Sequence, residues 1–500
     1  MLYKIKDILI KYSSKNTFWL FLIFLIIFYM RLFYCMEPVI DWDESVYFTV
    51  SRDILTGGIP YKTSWDHKGP LLYFMFIPAI KIFGINILAL RIFTTVCLWI
   101  SMLFLYLASG KILNDKERLI PPLIYGLFFS HPFFGGLASN SELFMMMFLV
   151  IATYFFFKYI QNARPAYLSI FYCGIFCALA VFIKTTAFFT AMSFPVYLFF
   201  RRNWLGGYEP GRLLREIKYY LFGTVIVILP IIGYFLLHNA VTDFFYAFFY
   251  FNFQYVRTTS LFDSITNFLD FLKLATILRP ELITLVSFIS IAYLLLKRDM
   301  SREEKHFFIL VILLTFFSFM GVLAGRHMFN HYFLQMGLPF SILIAFAVSQ
   351  IKINRADLNK ICICIVLALL FMSSIRPSGK LIDRKSEKKV ISSVSDYISR
   401  NSSANDTIFV NGGQPVIYFL SNRSAPTKYF FWLYHCSPWE DILHLEKETV
   451  TAFSNNAPRY FVYTKDFLGR KAEYLDKFML DNYHVVNKVG SYIIYEKNKI

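Results

Sequence analysis

Apolar runs long enough to cross a bilayer recur from residue 17 to residue 375, separated by short polar loops. A membrane helix needs about 20 mostly apolar residues. By that pattern, spans are predicted near 17–34, 86–108, 119–137, 142–160, 166–183, 185–200, 219–238, 281–297, 307–325, 332–350 and 360–375, eleven in all. The first follows a basic start and has no small-residue cleavage site behind it, so it reads as an uncleaved helix rather than a removed signal peptide. Two segments between spans are long: 36–85 and 239–280. Within the first, "GPLLYFMFIPAIKIFG" is too short to span and reads as an interfacial or re-entrant helix. The second carries "DFFYAFFYFNFQYVRTTSLFD", whose aromatic density suits a helix lying at the membrane–water boundary.

After residue 375 the pattern changes. "EKKVISSVSDYISRN" has helical periodicity, "DTIFVNGG" reads as a strand closed by a Gly turn, and "RYFVYTK" and "YHVVNKVGSYIIYEK" read as further strands. The chain therefore divides into a polytopic α-helical membrane part, 1–375, and a small α/β domain, 376–500.

Composition agrees with a membrane protein: 57% of the residues are hydrophobic and 20% aromatic, with a mean hydropathy of +0.51. The net charge of +17 does not point to nucleic acid, because the basic residues cluster in alternate short loops. Lys4, Lys6, Lys11 and Lys15 precede the first span; Lys111 and Arg118, Arg201 and Arg202, and Lys297 and Arg298 lie in later loops of the same side. The positive-inside rule makes that side cytoplasmic. With an odd number of spans, the loops 36–85 and 239–280 and the α/β domain fall on the extracytoplasmic face. Five of the seven cysteines lie inside apolar runs as small hydrophobes, and no disulfide framework is indicated.

The stretch "IDWDESVYFTVSRDIL", 40–55, puts Asp41, Asp43, Glu44 and Asp53 just past the first span. Two readings are open. The acidic group caps a helix, since Asp suits the N-cap and Glu the first turn. Alternatively it works on a substrate at headgroup depth. The rest of the loop brings Arg52, Asp66, His67 and Lys68, and Arg91 and Arg326 stand at the outer ends of other spans. A cation neutralises phosphate and a carboxylate takes a proton from a hydroxyl, which is what a site handling a lipid phosphate and an acceptor needs. Lys184, in "FIKTTAFF", is either functional, as ionisable groups in apolar sequence often are, or a snorkelling side chain.

"DWDESVYFTVSRDILTGGIPYKTSWDHKGPLLYF" followed by "KIFGINILALRIFTTV" resembles the first outer loop and second span of the GT-C glycosyltransferases, in particular the bacterial branch with protein O-mannosyltransferases and lipid A aminoarabinose transferases. The matching features are Asp43-Glu44, Tyr47, Gly57-Gly58, Lys68-Gly69-Pro70, Phe83-Gly84 and Arg91; Gly69 departs from a more usual Pro. "GRHMFNHYFLQMGLPFSIL", 325–343, resembles the late outer loop of the same family, with His331-Tyr332 and Pro339 in place, and the α/β domain resembles the tail of many members.

The resemblance implies a donor sugar on a polyprenyl phosphate, an acceptor hydroxyl on a lipid, glycan or protein, and transfer on the extracytoplasmic face of the plasma (inner) membrane. It assigns Asp43 as general base, Glu44 as orienting residue, Lys68 as the donor-phosphate contact and Arg326 as a second one. His331 and Tyr332 would orient donor or acceptor groups, with Tyr47 and Lys184 as further substrate contacts. Arg52 and Arg91 serve either substrate or the bracing of the loop. Some relatives place a metal near the residue before the lysine, which makes His67 the candidate ligand of a divalent ion here. A transporter or flippase of lipid-linked saccharide, and another class of glycan polymerase or ligase, are the competing functions. The first typically sets charges mid-membrane between repeats, and no repeat is visible.

Overall fold

The long apolar runs form helices in the computed structural model, which describes residues 16–35, 41–115, 117–162, 166–204, 211–278, 281–351, 378–464 and 472–498. In chain order these include α1 (Asn16–Cys35), α2 (Trp42–Leu55), α3 (Pro70–Phe83), α4 (Ile87–Ser109), α5 (Ile120–Phe128), α6 (Ser141–Gln161), α7 (Tyr167–Val181), α8 (Ala187–Trp204) and α9 (Arg212–Leu237). After a π-helical turn at Tyr246–Phe251 come α10 (Asn252–Arg257), α11 (Leu261–Leu278), α12 (Glu281–Leu296), α13 (Arg302–Ala324) and α14 (Gly337–Ser349). Among the described residues, five helices are long and apolar enough to cross a membrane. The expected span at 360–375, and the basic residues before 16, lie outside the described residues.

One expected span is corrected. In place of 119–137 stand the nine-residue α5 and a 3-10 turn at Pro132–Phe134. Nine residues rise about 14 Å, under half of a bilayer core. "SHPFFGG" ends the helix: Pro132 has no amide hydrogen to continue it, and Gly135 adopts φ 61°. The carbonyls released by this break are met by Arg31 of α1, whose buried guanidinium donates to Phe129 O (2.9 Å), Gly136 O (2.6 Å) and Leu137 O (3.0 Å).

The chain clusters into two compact units. The first comprises Met1–Tyr34, Ile92–Ile231 and Ser260–Ile375. Here α6 packs along α7 and α8 along α13. Helices α7 and α9 cross at two glycines: a Cβ on Gly174 would stand 2.1 Å from Tyr220 O, and one on Gly223 2.1 Å from Phe171 O. Small residues at such crossings let backbones approach in a medium with no hydrophobic drive between helices.

The second unit comprises Cys35–Arg91, Ile232–Thr259 and Arg376–Ile500. Its α/β part has a long helix α15 (Ser378–Asn401), then β1 (Ile408–Asn411), α16 (Val416–Ser421), β2 (Tyr460–Tyr463), β3 (Tyr483–Val489) and β4 (Tyr492–Lys497). The sheet order is β1-β2-β4-β3, with β1 and β2 parallel and the other pairs antiparallel. "PVIYFL", open between helix and strand in the sequence, is the helix α16. It packs against α15 and also against α2.

Candidate functional site

Helix α2 begins where the acidic cluster is. Asp41 is the N-cap, accepting from Glu44 N at 3.0 Å, so the capping role falls to Asp41. Asp43 and Glu44 sit in the first turn. Burial, then the neighbouring charges of Asp43 and Glu44, push the Asp41 carboxyl up to about 7. Glu44 is fully buried and takes Arg91 through Nε (3.1 Å) and Nη2 (2.7 Å) on a single carboxylate oxygen. Asp43 has 37% of its side chain exposed and receives the Tyr47 hydroxyl at 3.1 Å.

The turn after α2 is locked from within. Gly57 holds φ 95°, and Asp53 Oδ2 accepts from Thr63 and Ser64 hydroxyls, each at 2.6 Å. Tyr61 donates to Lys68 O at 2.6 Å, and Pro70 starts α3 in the first turn, where its missing amide hydrogen costs nothing. This turn delivers Asp66, His67 and Lys68. The Lys68 ammonium lies 3.0 Å from His67 Nε2 and 3.8 Å from Asp43 Oδ2. His67 Nδ1 lies 3.2 Å from Asp66 Oδ1, short of hydrogen-bond alignment. Asp66 also accepts from Tyr73 (2.8 Å) and Tyr434 (3.0 Å). Burial alone would raise the Asp66 carboxyl, but His67, Lys68 and Tyr73 outweigh it and hold it well below the usual carboxylate range. Burial and the Lys68 charge lower the His67 imidazole against the pull of Asp66.

The aromatic segment expected at a membrane boundary reaches this turn. Asn252, just after the π-helical turn, donates to Phe248 O (3.0 Å) and to His67 O (2.7 Å). Phe251, Tyr255 and Trp439 surround the His67 ring, with centroids 5.3–5.7 Å away. Phe245, Phe249, Tyr250 and Phe253 are exposed on the other face.

Arg52 and Arg91 are both buried in protein contacts. Arg91 holds Glu44, and Arg52 donates to Tyr418 O and Arg423 O (both 2.7 Å) and to Ser424 Oγ (3.1 Å). Of the two roles open in the sequence, the geometry favours bracing. As to a divalent ion, no group of three or more His, Cys, Asp and Glu side chains comes together among the described residues. His67 turns Nε2 toward the Lys68 ammonium, and the donor set does not fit such an ion.

The other residues expected from the sequence lie in the first unit. Lys184 is not a snorkelling side chain: it pairs with the buried Glu142 and sits 4.1 Å over the Tyr332 ring. His331 Nε2 is 3.9 Å from the same Glu142 oxygen. Arg326 stands in the preceding loop with φ 53°, and His327, Phe329 and His331 stack in sequence. Sequence reasoning missed Glu142. Its signal was available: a lone carboxylate opening an apolar span.

A family model described as dolichyl-phosphate-mannose-protein mannosyltransferase matches residues 67–236. Among solved structures, the chain is similar to ArnT from Cupriavidus metallidurans bound to undecaprenyl phosphate. The two are 11% identical, 97% of this chain and 98% of that one are covered, and the TM-score is 0.63. It is also similar to the archaeal oligosaccharyltransferase AglB from Archaeoglobus fulgidus, in complex with an inhibitory peptide and a dolichol-phosphate: 12% identical, 90% and 69% covered, TM-score 0.53. No curated protein sequence matches. With the family match, these likenesses give the chain the fold of the GT-C superfamily of membrane glycosyltransferases.

Proposed function

We propose that this GT-C chain moves a sugar from a polyprenyl-phosphate carrier to an acceptor hydroxyl on the extracytoplasmic face of the membrane, with Asp43 as general base. The observation that carries the reading is the pairing of Lys68 with Asp43. A buried, braced ammonium stands 3.8 Å from a carboxylate with 37% of its side chain exposed. Support comes from two relatives of the same fold whose structures contain a polyprenyl or dolichol phosphate.

In the proposed reaction Asp43 takes the proton of the acceptor hydroxyl as its oxygen attacks the anomeric carbon. The bond from that carbon to the phosphate oxygen breaks, and polyprenyl phosphate leaves with the electron pair. Lys68, fixed by His67 and Asp43, faces the charge that grows on the leaving phosphate; a preorganised cation acts there without reorganising at the moment of reaction. Tyr47 orients Asp43, and Glu44 with Arg91 fixes the first turn of α2. Arg326, His331 and Tyr332, with Lys184 behind them on Glu142, are assigned to donor or acceptor groups.

The test is to reconstitute the full chain in vesicles with a panel of polyprenyl-phosphate sugars and follow both the release of free polyprenyl phosphate and the side on which intact donor is found. Release dependent on acceptor supports transfer. Movement of intact donor without release makes the chain a flippase and overturns the reading.

A further inference from the structure

We propose that Tyr434, on the α/β domain, is a positioning residue for the candidate site, acting through Asp66 and His67 on the Lys68 ammonium. The proposal rests on the reading that Lys68 takes the lipid phosphate. A lysine ammonium on a four-carbon stem holds a point in space only if its partners are fixed. Its near partner is His67 Nε2 at 3.0 Å, which accepts only in a neutral ring whose proton is on Nδ1. Asp66 Oδ1, 3.2 Å from Nδ1, favours that tautomer and is itself held by the Tyr434 hydroxyl at 3.0 Å.

The phenol is set firmly. Tyr434 and Asp66 are both nearly inaccessible, and the Tyr434 ring stands edge-on to Trp65 with centroids 4.8 Å apart. Trp65 N donates to Lys428 O at 2.8 Å, so the residue before Asp66 is tied to the same stretch of the α/β domain. Arg52, clasping Tyr418 O and Arg423 O, ties α2 to it as well. Several anchors thus run from the α/β domain onto the loop that carries Asp43 and Lys68, and the Tyr434 hydroxyl ends on the chain of groups that reaches the ammonium. The Tyr434 hydroxyl, whose burial demands a partner, finds it in the same carboxylate oxygen that faces the imidazole beside Lys68.

The experiment uses the full chain in detergent micelles with undecaprenyl phosphate as probe, and measures its Kd for wild type, Tyr434→Phe, Lys68→Ala and the double variant. Phenylalanine keeps the ring and its packing and removes only the hydroxyl. The expected result is an affinity about tenfold weaker for Tyr434→Phe, with the melting temperature retained. In the Lys68→Ala background, Tyr434→Phe should add no further loss, because it acts through a group no longer present. Wild-type affinity in Tyr434→Phe, or a loss that adds in full to that of Lys68→Ala, overturns the proposal and leaves the role of Lys68 standing. Wild-type affinity in Lys68→Ala overturns the phosphate reading and with it the role of Tyr434. Should Tyr434→Phe not fold, Asp66→Asn, which keeps an acceptor for the phenol and removes the charge, is read by the same two criteria.

Discussion

The four carboxylates that follow α1 have different work, and substitution separates them. Asp41 caps α2 and is pushed up to about 7 by burial and its acidic neighbours. A folded-state value above the ordinary 3.9 or so means that the folded chain keeps a proton the unfolded chain has released. Stability therefore falls as pH rises between about 4 and 7. Asn caps as well as Asp, so Asp41→Asn should keep the helix and flatten that slope; melting curves at pH 5 and pH 8 for the two proteins check it, and equal slopes would refute it. Glu44 is the buried partner of Arg91. Glu44→Gln should cost about 3–5 kcal/mol in chemical unfolding, because it removes the carboxylate charge that faces a buried guanidinium, whereas Glu44→Leu with Arg91→Met should recover most of that. At this scale chemistry and position coincide in the sequence for Asp43 and Lys68, which stand in one loop and which the fold brings to 3.8 Å of each other. The sequence is less legible where a role depends on a distant partner: nothing near Arg52 in the chain announces two carbonyls more than 360 residues away.

Helices with a full apolar stripe were legible, as was the shorter α3 (Pro70–Phe83), whereas the break inside 119–137 was not. The segment 119–137 carries enough apolar residues for a span, yet Pro132 and Gly135 divide it, and the buried Arg31 makes the break tolerable by taking the freed carbonyls. The crossing of α7 and α9 rests on Gly174 and Gly223. Gly174→Ala should destabilise by about 1–3 kcal/mol, since its Cβ would meet a backbone oxygen that cannot move aside. Gly233→Ala, with nothing within 4 Å of the added carbon, should be neutral or slightly stabilising. Thermal unfolding of the two variants side by side tests this account of the crossing. The π-helical turn Tyr246–Phe251 has its own latch in Asn252, which joins Phe248 O to His67 O. Asn252→Leu should lower stability by about 1–2 kcal/mol and weaken undecaprenyl phosphate binding, because the backbone beside Lys68 loses its tie. Retained affinity in a destabilised variant would show that the latch serves the fold alone.

On the scale of the whole chain, the order of apolar helices, the late α/β domain and the likeness of the first outer loop to the GT-C enzymes were visible in the sequence. What was not visible is that α2, the turn at 56–69 and the aromatic stretch at 246–257 share one compact unit with the α/β domain. Pairings such as Trp65 N with Lys428 O, or Tyr434 with Asp66, repeat with no period and leave no local trace in composition. The central claim, however, concerns a single carboxylate, and the measurement that bears on it most directly is the turnover of polyprenyl-phosphate sugar by Asp43→Asn against wild type, with undecaprenyl phosphate affinity measured on the same preparations. The account predicts a loss of about 10²–10⁴-fold in kcat, the usual range for a general base, with the lipid phosphate still bound. Turnover at the wild-type rate by folded Asp43→Asn protein would contradict it.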